Sequence, residues 1–294
     1  MQIFFRRGWQ LLLSLVIVSV ALPVSSLATT LRIKGSDTLG SKLIPQLTEA
    51  YRRQHLTTSS PVEFAISAEG TATGIAAILE NDADIGLLSR PLNRDEMEAA
   101  SRNSLELTLH VIARDGLTVV VNEKNAIASL TRSQVERLFT GDVKNWAAYT
   151  EAIGPVSVYT RNTASGSYHI FQTMALQDRL YSIDAQKMAG NEQIAEEVAN
   201  NPYGIGMIGL AYSKAPGVRV VPIEHRTPYD SDYPYARSFY ILTNTNSEKQ
   251  DVIQSFIDFC LSEEGQRIVN QVGFQPADAT SIQSIQSAET GTRR

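Results

Sequence analysis

Three short clusters of glycine and hydroxyl residues stand where an extended run gives way to a helical one. They constrain this chain more than any other feature. They are Gly35-Ser36-Asp37-Thr38, Gly70-Thr71-Ala72-Thr73-Gly74 and Ser165-Gly166-Ser167, the last preceded by Arg161. A helix start offers unpaired backbone N–H groups and the positive end of the helix dipole, which together suit an anion. One such cluster is a helix cap and nothing more. Three of them with an arginine predict a pocket that surrounds a tetrahedral oxyanion.

Between the clusters, strand-like and helical patterns alternate, which predicts an α/β fold. Residues 30–34 read as a strand. A helix follows with Leu39, Leu43, Leu47 and Tyr51 at four-residue spacing, bent or delayed by Pro45. Residues 62–67 and 83–88 read as strands, with a helix carrying Ile75, Ile78 and Leu79 between them and a short charged helix over 94–101 after them. Residues 107–113 and 117–122 are extended on either side of Asp115-Gly116, a dipeptide that is either a turn or part of a crossing between lobes. Residues 131–139 suit a helix, and 156–160 a strand that delivers Arg161. Tyr168, Phe171, Met174 and Ala175 mark the helix behind the third cluster. Residues 204–210, 219–222 and 238–243 read as strands, and 252–272 as closing helix. The extended regions near Asp115 and Ser238 flank a central block. They predict a discontinuous first lobe (29–116 with 237–280), an inserted second lobe (117–236) and a ligand cleft between them.

Residues 1–28 have the anatomy of a secretory signal peptide. Arg6 and Arg7 precede an apolar run over 11–22, then come Pro23 and the small-x-small signal Ser26-Leu27-Ala28. The run is short for a membrane span, and no cysteine stands directly after it for lipid attachment. The expectation is a mature protein in a bacterial periplasm, without direct membrane insertion. Residues 281–294 are polar and are expected to form a flexible tail. The chain carries a formal net charge of −5, and the leader removes two arginines from it. No basic stripe stands out, which argues against nucleic acid as a partner. An anion must therefore be held by local dipoles and an arginine against the overall field. The single cysteine, Cys260, lies in an amphipathic run and is expected to be a buried apolar residue. His55, His110, His169 and His225 are scattered without metal-ligand spacing, so neither metal nor cofactor is expected. Ser165 lacks the elbow of a serine hydrolase.

Taken in order, these motifs resemble a family. The set includes the three clusters, Ala68-Glu69-Gly70-Thr71, and Asp84-Ile85-Gly86 running to Ser89-Arg90-Pro91. It also includes Phe139-Thr140-Gly141-Asp142-Val143-Lys144-Asn145-Trp146 and Tyr203-Gly204-Ile205-Gly206. The set resembles the PstS-like phosphate-binding proteins of ABC phosphate transporters, of the type 2 periplasmic binding-protein fold, and most of all their shorter subgroup. The resemblance implies two α/β lobes, each a mixed sheet flanked by helices. It implies inorganic phosphate in the cleft, delivery to ABC permease membrane subunits and no catalysis; a monomer is expected. Carried over position by position, the phosphate-binding residues are Thr38, Leu39, Thr71, Arg161, Ser165, Gly166 and Ser167. One departure stands out: the better-known branch has an aspartate after the third strand, where this chain has Ser89 followed by Arg90. Ser89 sits at a strand's carboxyl end, where open α/β sheets bind ligands. Arg90 either joins the anion or braces the loop.

Choosing phosphate over sulfate is a question of a proton, because phosphate near neutral pH keeps one. A buried carboxylate accepts that proton's hydrogen bond and repels sulfate. Asp115 is the leading candidate for this role, with a plain turn aspartate as its alternative. Asp37 reads as a helix cap. Three other functions stay open on the sequence: binding of another oxyanion (sulfate, molybdate or an organophosphate), a scaffold for sensing or adhesion, and a phosphatase. The last would need a nucleophile that is not evident.

Overall fold

The computed structural model describes residues 28–55, 61–151, 154–230, 232–277 and 282–284. The expected leader falls almost wholly on residues 1–27, outside the described residues. The first strand, β1 (Thr29–Gly35), buries Leu31 and Ile33 and runs into the short α1 (Asp37–Gly40), then α2 (Leu43–Gln54). The single helix expected from residue 39 is thus two. Pro45 falls in the first turn of α2, where its missing N–H has no intrahelical partner to lose. Next come β2 (Val62–Ser67), α3 (Thr71–Leu79) and β3 (Ile85–Leu88), with β2 and β3 both parallel to β1. After α4 (Arg94–Arg102), opened by an Asn93/Glu96 capping box, β4 (Leu107–Asn122) runs unbroken for 16 residues. Asp115-Gly116 is therefore no turn, since both residues pair with a distant strand.

The middle of the chain holds α5 (Arg132–Phe139), β5 (Ser157–Arg161), α6 (Gly166–Leu176), β6 (Gln186–Met188), α7 (Asn191–Asn200), β7 (Gly204–Gly209) and β8 (Val218–Val220). Sequence patterning gave no hint of β6 or α7. The chain returns through β9 (Ala236–Asn244) to α8 (Gln250–Leu261), α9 (Glu263–Val272), β10 (Gln275–Pro276) and β11 (Ile282–Ser284). The closing helix breaks in two at Ser262, which ends α8 and caps α9 through its hydroxyl. Within the expected loose tail, β11 pairs antiparallel with β4 at Thr108, Leu109 and His110, while 281 and 285–294 lie outside the described residues.

The strands form a mixed, curled sheet in the order β2-β1-β3-β9-β4-β7-β5-β6. β4 belongs to both halves: residues 107–116 pair with β9, and 117–121 pair with β7. Each half has its own apolar core. One packs Ile33, Leu43, Phe239, Phe256 and Cys260; the other packs Val119, Phe139, Trp146, Phe171 and Tyr235. Apolar side chains hold each half together, while the surfaces facing each other between the halves carry polar loops. These loops follow the carboxyl ends of β1, β3, β5 and β7, the position at which open α/β sheets present ligand-binding groups. No helix among the described residues is long and apolar enough to cross a membrane.

Candidate functional site

The loops of the first half form a chain of hydroxyls. Ser36 caps α1, its Oγ accepting from Leu39 N at 3.4 Å, and it lies 2.6 Å from Ser89 Oγ. The backbone N–H of Ser89 donates to Thr71 Oγ1 at 3.0 Å. Ser36, Ser89 and Thr71 are all buried; the two serines are joined through their hydroxyls, and the Thr71 hydroxyl is held by the Ser89 backbone. Gly70 opens α3 with φ +124°, a conformation that side chains rarely adopt. A Cβ there would also lie 2.7 Å from Ala164 O of the second half.

The second half brings Arg161 and the start of α6 against these hydroxyls. Ala72 N donates to Ala164 O across the gap at 3.1 Å. A Cβ on Gly166 would strike Thr71 Oγ1, so glycine allows the helix start to sit against that hydroxyl. Ser165 holds the N-cap position of α6 without a side-chain capping bond. Arg161, at the end of β5, is only 1% exposed. Its Nη1 lies 3.1 Å from Asp37 Oδ2, while Nε and Nη2 have no hydrogen-bond partner among the described residues. Burial pulls its pKa down, and Asp37 opposes that shift. Taking a guanidinium out of water is costly unless acceptors are supplied.

A second buried arginine lies where β4 and β9 cross between the halves. Asp115 and Arg237 face each other in register on the two strands. Arg237 Nη2 lies 2.9 Å from Asp115 Oδ2, and Leu210 N donates to Asp115 Oδ1 at 2.9 Å. Arg237 Nη1 donates to Ser167 Oγ at 2.6 Å, tying the crossing to α6. Burial pushes the Asp115 carboxyl up against the opposing pull of Arg237. A Cβ on Gly209 would lie 3.0 Å from both Asp115 Oδ2 and Thr38 Cγ2, so this pair borders the first loop.

These contacts place Thr38, Thr71, Ser89, Arg161, Gly166 and Ser167 on the facing surfaces of the two halves, with Ser165 next to Gly166 at the N-cap of α6. Thr38 Oγ1 accepts from Asn191 Nδ2 at 3.1 Å. Leu39 enters by its backbone alone, since its side chain is in the core and its N–H goes to Ser36. Of the two readings of Arg90 the structure keeps one, and Asp115 has partners of its own. Arg90 does not reach the site: its guanidinium grips Glu96 at 2.8 Å through both Nη1 and Nη2, bracing the start of α4. Asp115, expected to read a ligand proton, already accepts from Leu210 N at Oδ1 and from Arg237 Nη2 at Oδ2.

Sequence reasoning missed Arg237 and Asn191 and saw in Asp37 only a cap. The signal for Arg237 was present: the two crossings near Asp115 and Ser238 carry opposite charges at positions that pair. His169, behind the third cluster, lies 2.8 Å from Thr163 O through Nε2. Among the described residues no group of His, Cys, Asp and Glu could hold a metal ion.

A two-lobed α/β molecule with a buried, half-paired guanidinium between hydroxyl loops has the architecture of a solute-binding protein. Residues 23–264 match the family described as the PBP superfamily domain, and the chain belongs to that family. It is 28% identical to the phosphate-binding protein PstS of Pseudomonas aeruginosa, over 87% of this chain and 85% of that one. A Clostridium perfringens protein assigned as a phosphate ABC transporter substrate-binding protein, solved with phosphate bound, superposes with a TM-score of 0.75 at 26% identity, covering 85% of this chain and all of that one. An ABC-type phosphate transport receptor from Vibrio cholerae superposes with a TM-score of 0.67 at 25% identity, covering 84% of this chain and all of that one.

Proposed function

We propose that this protein captures inorganic phosphate between its lobes and delivers it to the membrane subunits of an ABC permease. Arg161 carries the reading: it is buried, held at Nη1 by Asp37, and has Nε and Nη2 unclaimed among the described residues. An oxyanion supplies two acceptors in the parallel geometry that one edge of a guanidinium favours. Thr71, Ser89, Ser165 and Ser167 add hydroxyls, and the starts of α3 and α6 add backbone donors. Thr38, Leu39 and Gly166 complete the set of residues assigned to the anion. The names of the relatives favour phosphate over other tetrahedral anions and transport over catalysis.

The separate cores support lobes of 29–116 with 237–280 and of 117–236, swinging about β4 and β9. A leader over 1–28 directs the chain to the periplasm, where it works as a monomer. Calorimetric titration of the mature chain, stripped of bound anion, tests the reading. One phosphate per chain and much weaker sulfate are expected. Absence of phosphate heat at millimolar concentration would overturn it, and tighter sulfate would change the ligand.

A further inference from the structure

Groups from opposite sides of the cleft converge on one carboxylate. Asp37, the first residue of α1, places Oδ2 3.1 Å from Arg161 Nη1 and 3.0 Å from Asn191 Nδ2, both on the other lobe. The backbone N–H of Asn191 donates to the same oxygen at 3.4 Å. Asn191 is the first residue of α7, and the N-cap of that helix is Gly190, which has no side chain to cap it. A Cβ on Gly190 would lie 3.4 Å from Asp37 Oδ1. The carboxylate thus stands beside the empty side-chain position of the N-cap and accepts from the first N–H of the helix, with its negative charge at the positive end of the helix. Its other oxygen accepts from Ser41 Oγ at 2.8 Å, which fixes it to its own lobe.

Neighbouring contacts close the same seam. Asn191 Nδ2 also donates to Thr38 Oγ1, and Asn191 Oδ1 accepts from Gly209 N at 3.0 Å, which fixes the amide's orientation. Tyr212 OH donates to Thr38 O at 3.0 Å. Lys42 Nζ donates to Ala211 O at 3.2 Å and lies 3.9 Å from the centre of the Tyr212 ring.

We propose that Asp37 is the positioning residue of the closed form. It caps α7 of the opposite lobe and holds Arg161 by Nη1, which keeps the lobes shut and turns the Nε–Nη2 edge of Arg161 toward the anion. The anion in this statement rests on the phosphate reading above; the latch between the lobes does not. Asp37 turns Oδ2 to Arg161 and Asn191 of the opposite lobe and Oδ1 to Ser41 of its own, so its contacts join the lobes. Asp37 therefore sets how long an anion stays, and leaves the choice of anion to other groups.

The test compares Asp37→Asn and Asn191→Ala with the wild type. Asp37→Asn keeps the shape of the side chain and one acceptor while losing the charge; Asn191→Ala removes the amide that reaches across the cleft. Stopped-flow measurements should show phosphate dissociating at least tenfold faster from both variants, with association within about twofold of wild type, the usual pattern when contacts of the bound state are lost. The ratio of phosphate to sulfate affinity should stay unchanged. Small-angle X-ray scattering of the ligand-free proteins should show both variants more extended than wild type. Unchanged dissociation rates with unchanged scattering would overturn the latch. A shifted phosphate-to-sulfate ratio in Asp37→Asn would also overturn it, by making Asp37 a ligand group. If wild type binds no phosphate, the scattering comparison still decides the latch, and only the phosphate reading fails.

Discussion

Arg161 and Arg237 are both buried, each is paired with one aspartate, and each touches the loops between the lobes, yet they are built for different work. Arg237 meets Asp115 directly across two paired strands and gives Nη1 to Ser167. Its Nε alone has no partner among the described residues, and its guanidinium carbon lies 4.5 Å from the centre of the Phe239 ring. Arg161 meets Asp37 across the cleft and keeps two nitrogens without a partner among the described residues. The difference is where the partner comes from. A pair formed within one continuous sheet completes a frame. A pair formed across a gap leaves bonding capacity for a guest.

That contrast breaks most visibly if the frame is cut. Arg237→Met leaves Asp115 buried without its counter-charge, which costs about 3–5 kcal/mol. Thermal unfolding should fall by roughly 10 °C for a chain of this size. Combining Arg237→Met with Asp115→Leu should recover much of that loss, since neither charge is then stranded. Arg161→Met should reverse the pattern. Melting without phosphate changes little, while titration shows affinity lower by roughly 100-fold, the scale of about 3 kcal/mol expected when a buried charge partner is removed. Gly166→Ala is milder. Its methyl group would meet Thr71 of the opposite half, so affinity should drop about tenfold, equivalent to roughly 1.4 kcal/mol, with the melting temperature almost unmoved.

The smallest effect belongs to pH, and it again falls on the frame. Burial on β4 depresses the pKa of His110. The unfolded chain takes up a proton near the ordinary imidazole value of about 6.5, whereas the folded chain resists it. The unfolded state therefore binds more protons, and stability rises with pH through this range. The contribution is complete above the unfolded pKa and is lost as pH falls below it. Urea unfolding at a series of pH values should show this slope, and His110→Gln should flatten it.

The two regions were also unequally legible. The hydroxyl loops could be read because helix starts and glycine positions are local signals: Gly35, Gly70 and Gly166 mark their own turns. The frame was hidden because its partners are distant. Asp115-Gly116 has the local chemistry of a turn, and only pairing with β9, more than a hundred residues later, makes it strand. Arg90 was left open because Glu96, its partner, looks like an ordinary helix-start acid. The helix α7 was missed for a related reason. Ile194 and Val198 make a thin apolar stripe among Glu192, Glu196 and Glu197, and Gly190 announces no cap. The acceptor that caps the helix lies 154 residues earlier, on the other lobe. Where a cap comes from the opposite lobe, no local pattern can reveal it.

The central claim is that the unpaired edge of Arg161 takes the anion. A crystal structure of the mature protein grown with phosphate tests it most directly. Arg161 Nε and Nη2 should each lie within hydrogen-bond distance of an oxygen of one phosphate, with Nη1 still on Asp37 and Arg237 still on Asp115. Phosphate held elsewhere, or Arg161 turned away from it, would contradict the claim.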